Sequence, residues 1–135
     1  MKSTGAAVTR IMVVDDEPSI HDFCARVLNK EGFSVSCAFS GRVAQDMIEE
    51  KKWALYLVDI RMPDMSGMEL YQWLEKKHPK LASQVIFTTG DVIGGDVSDF
   101  LEHVNRPFLL KPFTARELIT TVIETLKETR KWSTN

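Results

Sequence analysis

The chain has 135 residues, enough for one domain and too few for two of ordinary size. Its 17 basic and 19 acidic side chains give a net charge of −2, which argues against a generally basic nucleic-acid binder. Two cysteines, Cys24 and Cys37, make neither a disulfide framework nor a zinc module, and no apolar run reaches the roughly 18 residues that span a bilayer.

Residues 1–8 read as a loose tail, 9–130 as one domain and 131–135 as a second tail. The first tail lacks the apolar stretch of a signal peptide, so the cytoplasm is the expected compartment. Short apolar runs predict strands over Ile11–Val14, Phe33–Ala38, Leu55–Val58, Gln84–Phe87 and Phe108–Leu110. Several are continuous rather than alternating, as in parallel strands covered on both faces. Helical stripes fall between and after them. Pro18–Lys30 starts on a proline and stops before Gly32. Gly41–Lys51 follows a capping Ser40. Gly67–Lys77 ends at His78-Pro79, and Asp96–His103 is the fourth. The fifth starts at Thr114 with Glu117 three residues on, a capping box. Cys24 and Cys37 are expected in the core, His21 and His78 on the surface, and Trp53 and Trp73 over helix–sheet edges. His103 falls near a helix end and Trp132 beyond the last helix.

Five strand–helix pairs imply right-handed crossovers and an α/β doubly wound domain with strand order 2-1-3-4-5. Ligands of such sheets bind beyond the carboxyl ends of the strands. Those ends carry Asp15-Asp16, Asp59, Thr88-Thr89-Gly90-Asp91 and Lys111-Pro112. A lone aspartate at a strand end ordinarily makes a turn or a helix cap. Three converging carboxylates repel, and a cation relieves them. Lys111 supplies one charge. An oxygen-only donor set calls for Mg²⁺ or Mn²⁺ rather than zinc. Such a site suits phosphoryl transfer, with an aspartate as nucleophile.

These residues also carry a family resemblance. Val13-Val14-Asp15-Asp16-Glu17-Pro18 resembles the first motif of response-regulator receiver domains, the CheY-like superfamily. Asp59-Ile60-Arg61-Met62-Pro63-Asp64-Met65-Ser66-Gly67 resembles the phosphorylation motif D-x-x-M-P-x-M-x-G at every defined position. Phe87-Thr88-Thr89-Gly90 is similar to the strand bearing the switch hydroxyl, and Lys111-Pro112-Phe113 to the K-P-F motif. The spacings of 43, 30 and 22 residues along Asp16, Asp59, Thr89 and Lys111 fit the family as well.

The resemblance implies a (βα)5 flavodoxin-like fold and a phospho-accepting signalling domain rather than a classical enzyme. Asp59 would take a phosphoryl group from a phosphohistidine of a histidine kinase or histidine phosphotransfer protein. Mg²⁺ (or Mn²⁺) would be held by Asp16, Asp59 and the backbone carbonyl of Arg61, with Asp15 acting through water. Thr89 and Lys111 would contact the phosphoryl group, and the Lys111-Pro112 bond would be cis. Phe108 would couple to Thr89, or else simply pack in the core. The surface of the fourth helix, fifth strand and fifth helix would switch, pass the signal to a downstream protein, and serve any homodimer. Position, rather than resemblance, sets Arg61 and Asp91 two residues beyond Asp59 and Thr89, where they would pair across the pocket mouth and slow dephosphorylation, or else make only an exposed ion pair worth under roughly 1 kcal/mol. Neither direct nucleic-acid contact nor membrane insertion is implied. The segment from Thr89 to Leu109 resembles receivers of hybrid sensor kinases and their stand-alone relatives; the chain is expected to be either a stand-alone regulator, which Met1 favours, or a receiver cut from a longer protein.

Rival readings fit less well. A haloacid-dehalogenase-type phosphatase places its nucleophile after the first strand in a D-x-D pattern, and a cap domain is missing. A receiver degenerated to a binding module would not keep Asp16, Asp59, Thr89 and Lys111 together. A flavodoxin-like cofactor binder needs a phosphate loop where Asp15 and Asp16 stand. The glycines of Gly90-x-x-x-Gly94-Gly95 lack a Walker lysine and read as a moving loop.

Overall fold

The computed structural model describes residues 8–90 and 95–133. Its elements run β1 (Arg10–Val14), α1 (Pro18–Lys30), β2 (Ser34–Ala38), α2 (Gly41–Glu50), β3 (Leu55–Asp59), α3 (Gly67–Lys77), α4 (Pro79–Ala82), β4 (Val85–Thr89), α5 (Gly95–Val104), β5 (Phe108–Leu110) and α6 (Ala115–Ser133). The strands form one all-parallel sheet in the order β2-β1-β3-β4-β5, the doubly wound, CheY-like arrangement expected.

Alternate residues of each inner strand feed opposite faces. Met12, Val14, Tyr56, Val58, Val85 and Phe87 pack with α2, α3 and α5. Ile11, Val13, Leu55, Leu57 and Ile86 pack with α1 and α6. Burial on both sides is why these strands read as continuous apolar runs. Edge strand β2 is only half-buried, and Cys37 on it is exposed rather than core. Cys24 is buried, and burial pushes its thiol up to about 12.

Local chemistry sets the helix ends. Val43 N–H donates to Ser40 Oγ at 3.2 Å. Thr114 and Glu117 form the expected reciprocal box, and Ser66 and Glu69 form a second one, for which S-x-x-E was the unread signal. His78-Pro79 does end α3, but Pro79 also starts the one-turn helix α4. The surface expected to switch is therefore α5-β5-α6. Trp53 is buried in the core on the side of α2, α3 and α5, its Nε1–H donating to Met47 O at 3.3 Å, and Trp73 is partly buried against that core. The backbone of α6 continues to Ser133, so Trp132 lies on that helix rather than beyond it. Asp91 and Gly94 lie outside the described residues. No described helix is long and apolar enough to cross a membrane.

Candidate functional site

The carboxyl ends of β1, β3, β4 and β5 meet at one rim. Parallel register places Asp59 beside Thr88 and Thr89 beside Leu110. Backbone hydrogen bonds extend the lattice past the strands: Ile60 N–H donates to Thr88 O at 3.0 Å, Lys111 N–H to Thr89 O at 2.8 Å, and Asp15 N–H to Ala38 O at 3.1 Å. Sheet-anchored backbone therefore aims Asp15, Asp59 and Lys111, while Asp16, Glu17 and Arg61 sit on the loops just beyond the strands. The Lys111-Pro112 peptide is cis.

Lys111 sits at the centre. Its Nζ lies 2.9 Å from Asp15 Oδ2, 3.4 Å from Glu17 Oε1 and 3.5 Å from Asp59 Oδ2. Glu17, acidic and beside the double aspartate, was not among the expected site residues. Asp15 is buried, and its Oδ1 accepts from Glu17 N–H at 2.9 Å. Burial works against the charge of Lys111, but Asp15, Asp59 and Glu17 outweigh it and hold the ammonium above its usual range. Asp59 is 5% exposed. Burial, reinforced by the Asp15 charge, pushes its carboxyl up to about 6, against the pull of Lys111 and a hydrogen bond from Arg61 N–H. Oxygens of Asp15, Asp16 and Asp59 lie within 4.8 Å of one another. One ammonium does not balance three carboxylates, and the all-oxygen set fits a hard divalent cation. A cleft of about 320 Å³ opens beside them, lined by Asp16, Glu17, Asp59, Arg61, Gly90 and Lys111.

Gly67 explains the shape of the loop after β3. Its N–H donates to Ile60 O at 2.8 Å. A Cβ there would meet Asp59 O and stand 2.9 Å from Ile60 Cα. The start of α3 is thus docked on the backbone that carries Asp59, and Asp64 turns the intervening loop with φ 69°.

Thr89 is fully buried at the end of β4. Thr88 is buried too, on the opposite face by strand alternation, the side of α1 and α6. Phe108 is 44% exposed, so it is not a core residue. Arg61 pairs with Asp96 of α5 at 3.7 Å, an exposed contact worth under about 1 kcal/mol; its expected partner Asp91 lies outside the described residues. His78 is partly buried against Glu49 and Trp73, and His103 closes α5. His21, expected on the surface, is buried and bonded to Asp15. Its spacing to Cys24 and Leu28, three and seven residues on, is the buried stripe of α1.

A family model for the response regulator receiver domain matches residues 11–123. The fold is similar to a CheY-like receiver domain protein from Methanospirillum hungatei JF-1, at 31% identity and TM-score 0.83 over 93% of this chain and 98% of that one. It is also similar to the signal receiver domain of a putative Luxo repressor protein from Vibrio parahaemolyticus, at 27% identity and TM-score 0.82 over 94% and 96%. A third similar structure is the response regulator TrrA from Thermotoga maritima in complex with Mg²⁺-BeF, at 29% identity and TM-score 0.76 over 87% and 99%. With the family model spanning all five strands but for Arg10, this chain belongs to the response regulator receiver domains of two-component signalling systems.

Proposed function

We propose that Asp59 accepts a phosphoryl group from a phosphohistidine of a histidine kinase or histidine phosphotransfer protein. A carboxylate oxygen of Asp59 forms a bond to phosphorus as the phosphorus–nitrogen bond breaks, and the imidazole nitrogen keeps that electron pair. The observation that carries this reading is Asp59 itself, at the end of a central strand, lining an open cleft and 3.5 Å from Lys111 Nζ. Lys111 would pair with phosphoryl oxygens, and Thr89 would donate its hydroxyl to them.

Mg²⁺ (or Mn²⁺) would be held by Asp16, Asp59 and the main-chain carbonyl of Arg61, with Asp15 reaching it through water. When bound, the cation supplies positive charge against the developing phosphoryl oxygens. Phosphorylation would then favour an arrangement with Thr89 drawn toward Asp59, the Phe108 ring turned inward and the α5-β5-α6 face repacked for a downstream protein or a second copy of the chain. Arg61, at the cleft mouth, would slow attack by water, with Asp91 as its partner there. The absence of a membrane-crossing helix among the described residues and the family's signalling role fit a cytoplasmic protein.

Beryllofluoride mimics a bound phosphoryl group, so Mg²⁺ and beryllofluoride together should raise the melting temperature. A ligand at a hundredfold excess over its Kd stabilises by about 2.7 kcal/mol, or roughly 8 °C for a domain of this size. Asp59→Asn and Asp16→Ala should each remove the rise. A wild-type protein whose melting temperature does not move contradicts the reading.

A further inference from the structure

His21 lies one helical turn inside α1 and only 3% of it is exposed. Its Nε2 stands 2.7 Å from the main-chain carbonyl oxygen of Asp15. A carbonyl only accepts, so Nε2 carries the proton and donates. The ring lies edge-on to Phe39, with centroids 4.3 Å apart and planes at 85°. Nδ1 is buried with no hydrogen-bond partner. An apolar side chain would fill this position without leaving a nitrogen unpaired, so packing alone does not account for a histidine here.

We propose that His21 is a positioning residue for the cation site; the inference rests on the phospho-acceptor reading above. The Asp15 carbonyl and the Asp16 N–H belong to one planar peptide unit. Holding the carbonyl therefore holds the plane from which Asp16 departs. Asp15 is otherwise fixed on every side, through Ala38 O, Glu17 N–H and Lys111. Asp16 is exposed, and among the described residues its carboxylate has no hydrogen-bond or ion-pair partner. Its placement within 4.8 Å of the Asp15 and Asp59 oxygens depends on its backbone: Asp15 Oδ1 holds the peptide plane after Asp16 through Glu17 N–H, and His21 holds the plane before it. Phe39 keeps the ring in line from the β2 side.

The test compares two variants of similar length. His21→Gln can place an amide N–H near the Nε2 position, and His21→Met cannot donate at all. The readout is the affinity of the unphosphorylated full chain for Mn²⁺, followed by the electron paramagnetic resonance signal of the free ion. His21→Met should weaken binding roughly tenfold, while His21→Gln stays within about twofold of wild type. Phe39→Ala, which keeps the donor and only loosens the ring, should show a smaller loss and serves if His21→Met does not fold. Wild-type affinity in His21→Met, or an equal loss in His21→Gln, overturns the proposal; if His21→Met does not fold, wild-type affinity in Phe39→Ala overturns it. Wild type that binds no Mn²⁺, or binding that survives Asp16→Ala, overturns the cation reading and this inference with it.

Discussion

Gly67→Ala is expected to destabilise the domain by about 3 kcal/mol, a loss of roughly 10 °C in melting temperature. Helix propensity alone predicts the opposite sign, since alanine inside a helix gains about 1 kcal/mol over glycine. The contact decides. A Cβ at Gly67 meets Asp59 O and stands 2.9 Å from Ile60 Cα and 3.0 Å from Asp59 C. Those are backbone atoms at the end of a central strand and one residue past it, which cannot swing aside as a side chain can. Either α3 lifts and its Gly67–Ile60 hydrogen bond is lost, or the backbone of Asp59 is displaced. Thermal melting checks the first consequence and phosphoryl uptake the second. An alanine variant as stable as wild type would show that the loop after β3 is looser than described.

Asp59→Asn is expected to raise the stability of the metal-free protein at neutral pH by about 3 kcal/mol. Asp59 is pushed up to about 6 in the folded protein, against about 4 for an unperturbed aspartate. Between those values the folded state binds more protons than the unfolded state, so stability falls as pH rises through the window. Above it the cost is fully present, and below it the cost is absent. The melting-temperature advantage of Asp59→Asn should thus be largest near pH 7 and vanish near pH 4. Saturating Mg²⁺ should stabilise wild type and narrow the gap at neutral pH. An advantage that grows toward low pH would show that Lys111, rather than burial and Asp15, governs the carboxyl.

The architecture was legible because the strands buried on both faces are continuous apolar runs, and because α1, α3 and α6 announce their ends by Pro18, Pro79 and the Thr114–Glu117 box. The site was legible because its residues sit at strand ends, which sheet topology alone brings together. What sequence left open depends on contacts across the chain. His21 reads as polar until its spacing to Cys24 and Leu28 is set against α1's buried face. Cys37 and Phe108 look like core residues, but they lie on the two edge strands, where one side has no strand to cover it. Arg61 meets Asp96 rather than a near neighbour in sequence, because nothing periodic constrains a loop side chain. Pro79 reads as a stop and acts also as a start, since the first turn of a helix needs no N–H from it.

The central claim is that Asp59 is the phospho-acceptor. Incubating the protein with Mg²⁺ and acetyl phosphate and recording its intact mass tests it most directly. One phosphoryl adduct, labile to base, is expected in wild type and none in Asp59→Asn. An adduct that survives Asp59→Asn, or its absence from wild type with no response to beryllofluoride, would contradict it.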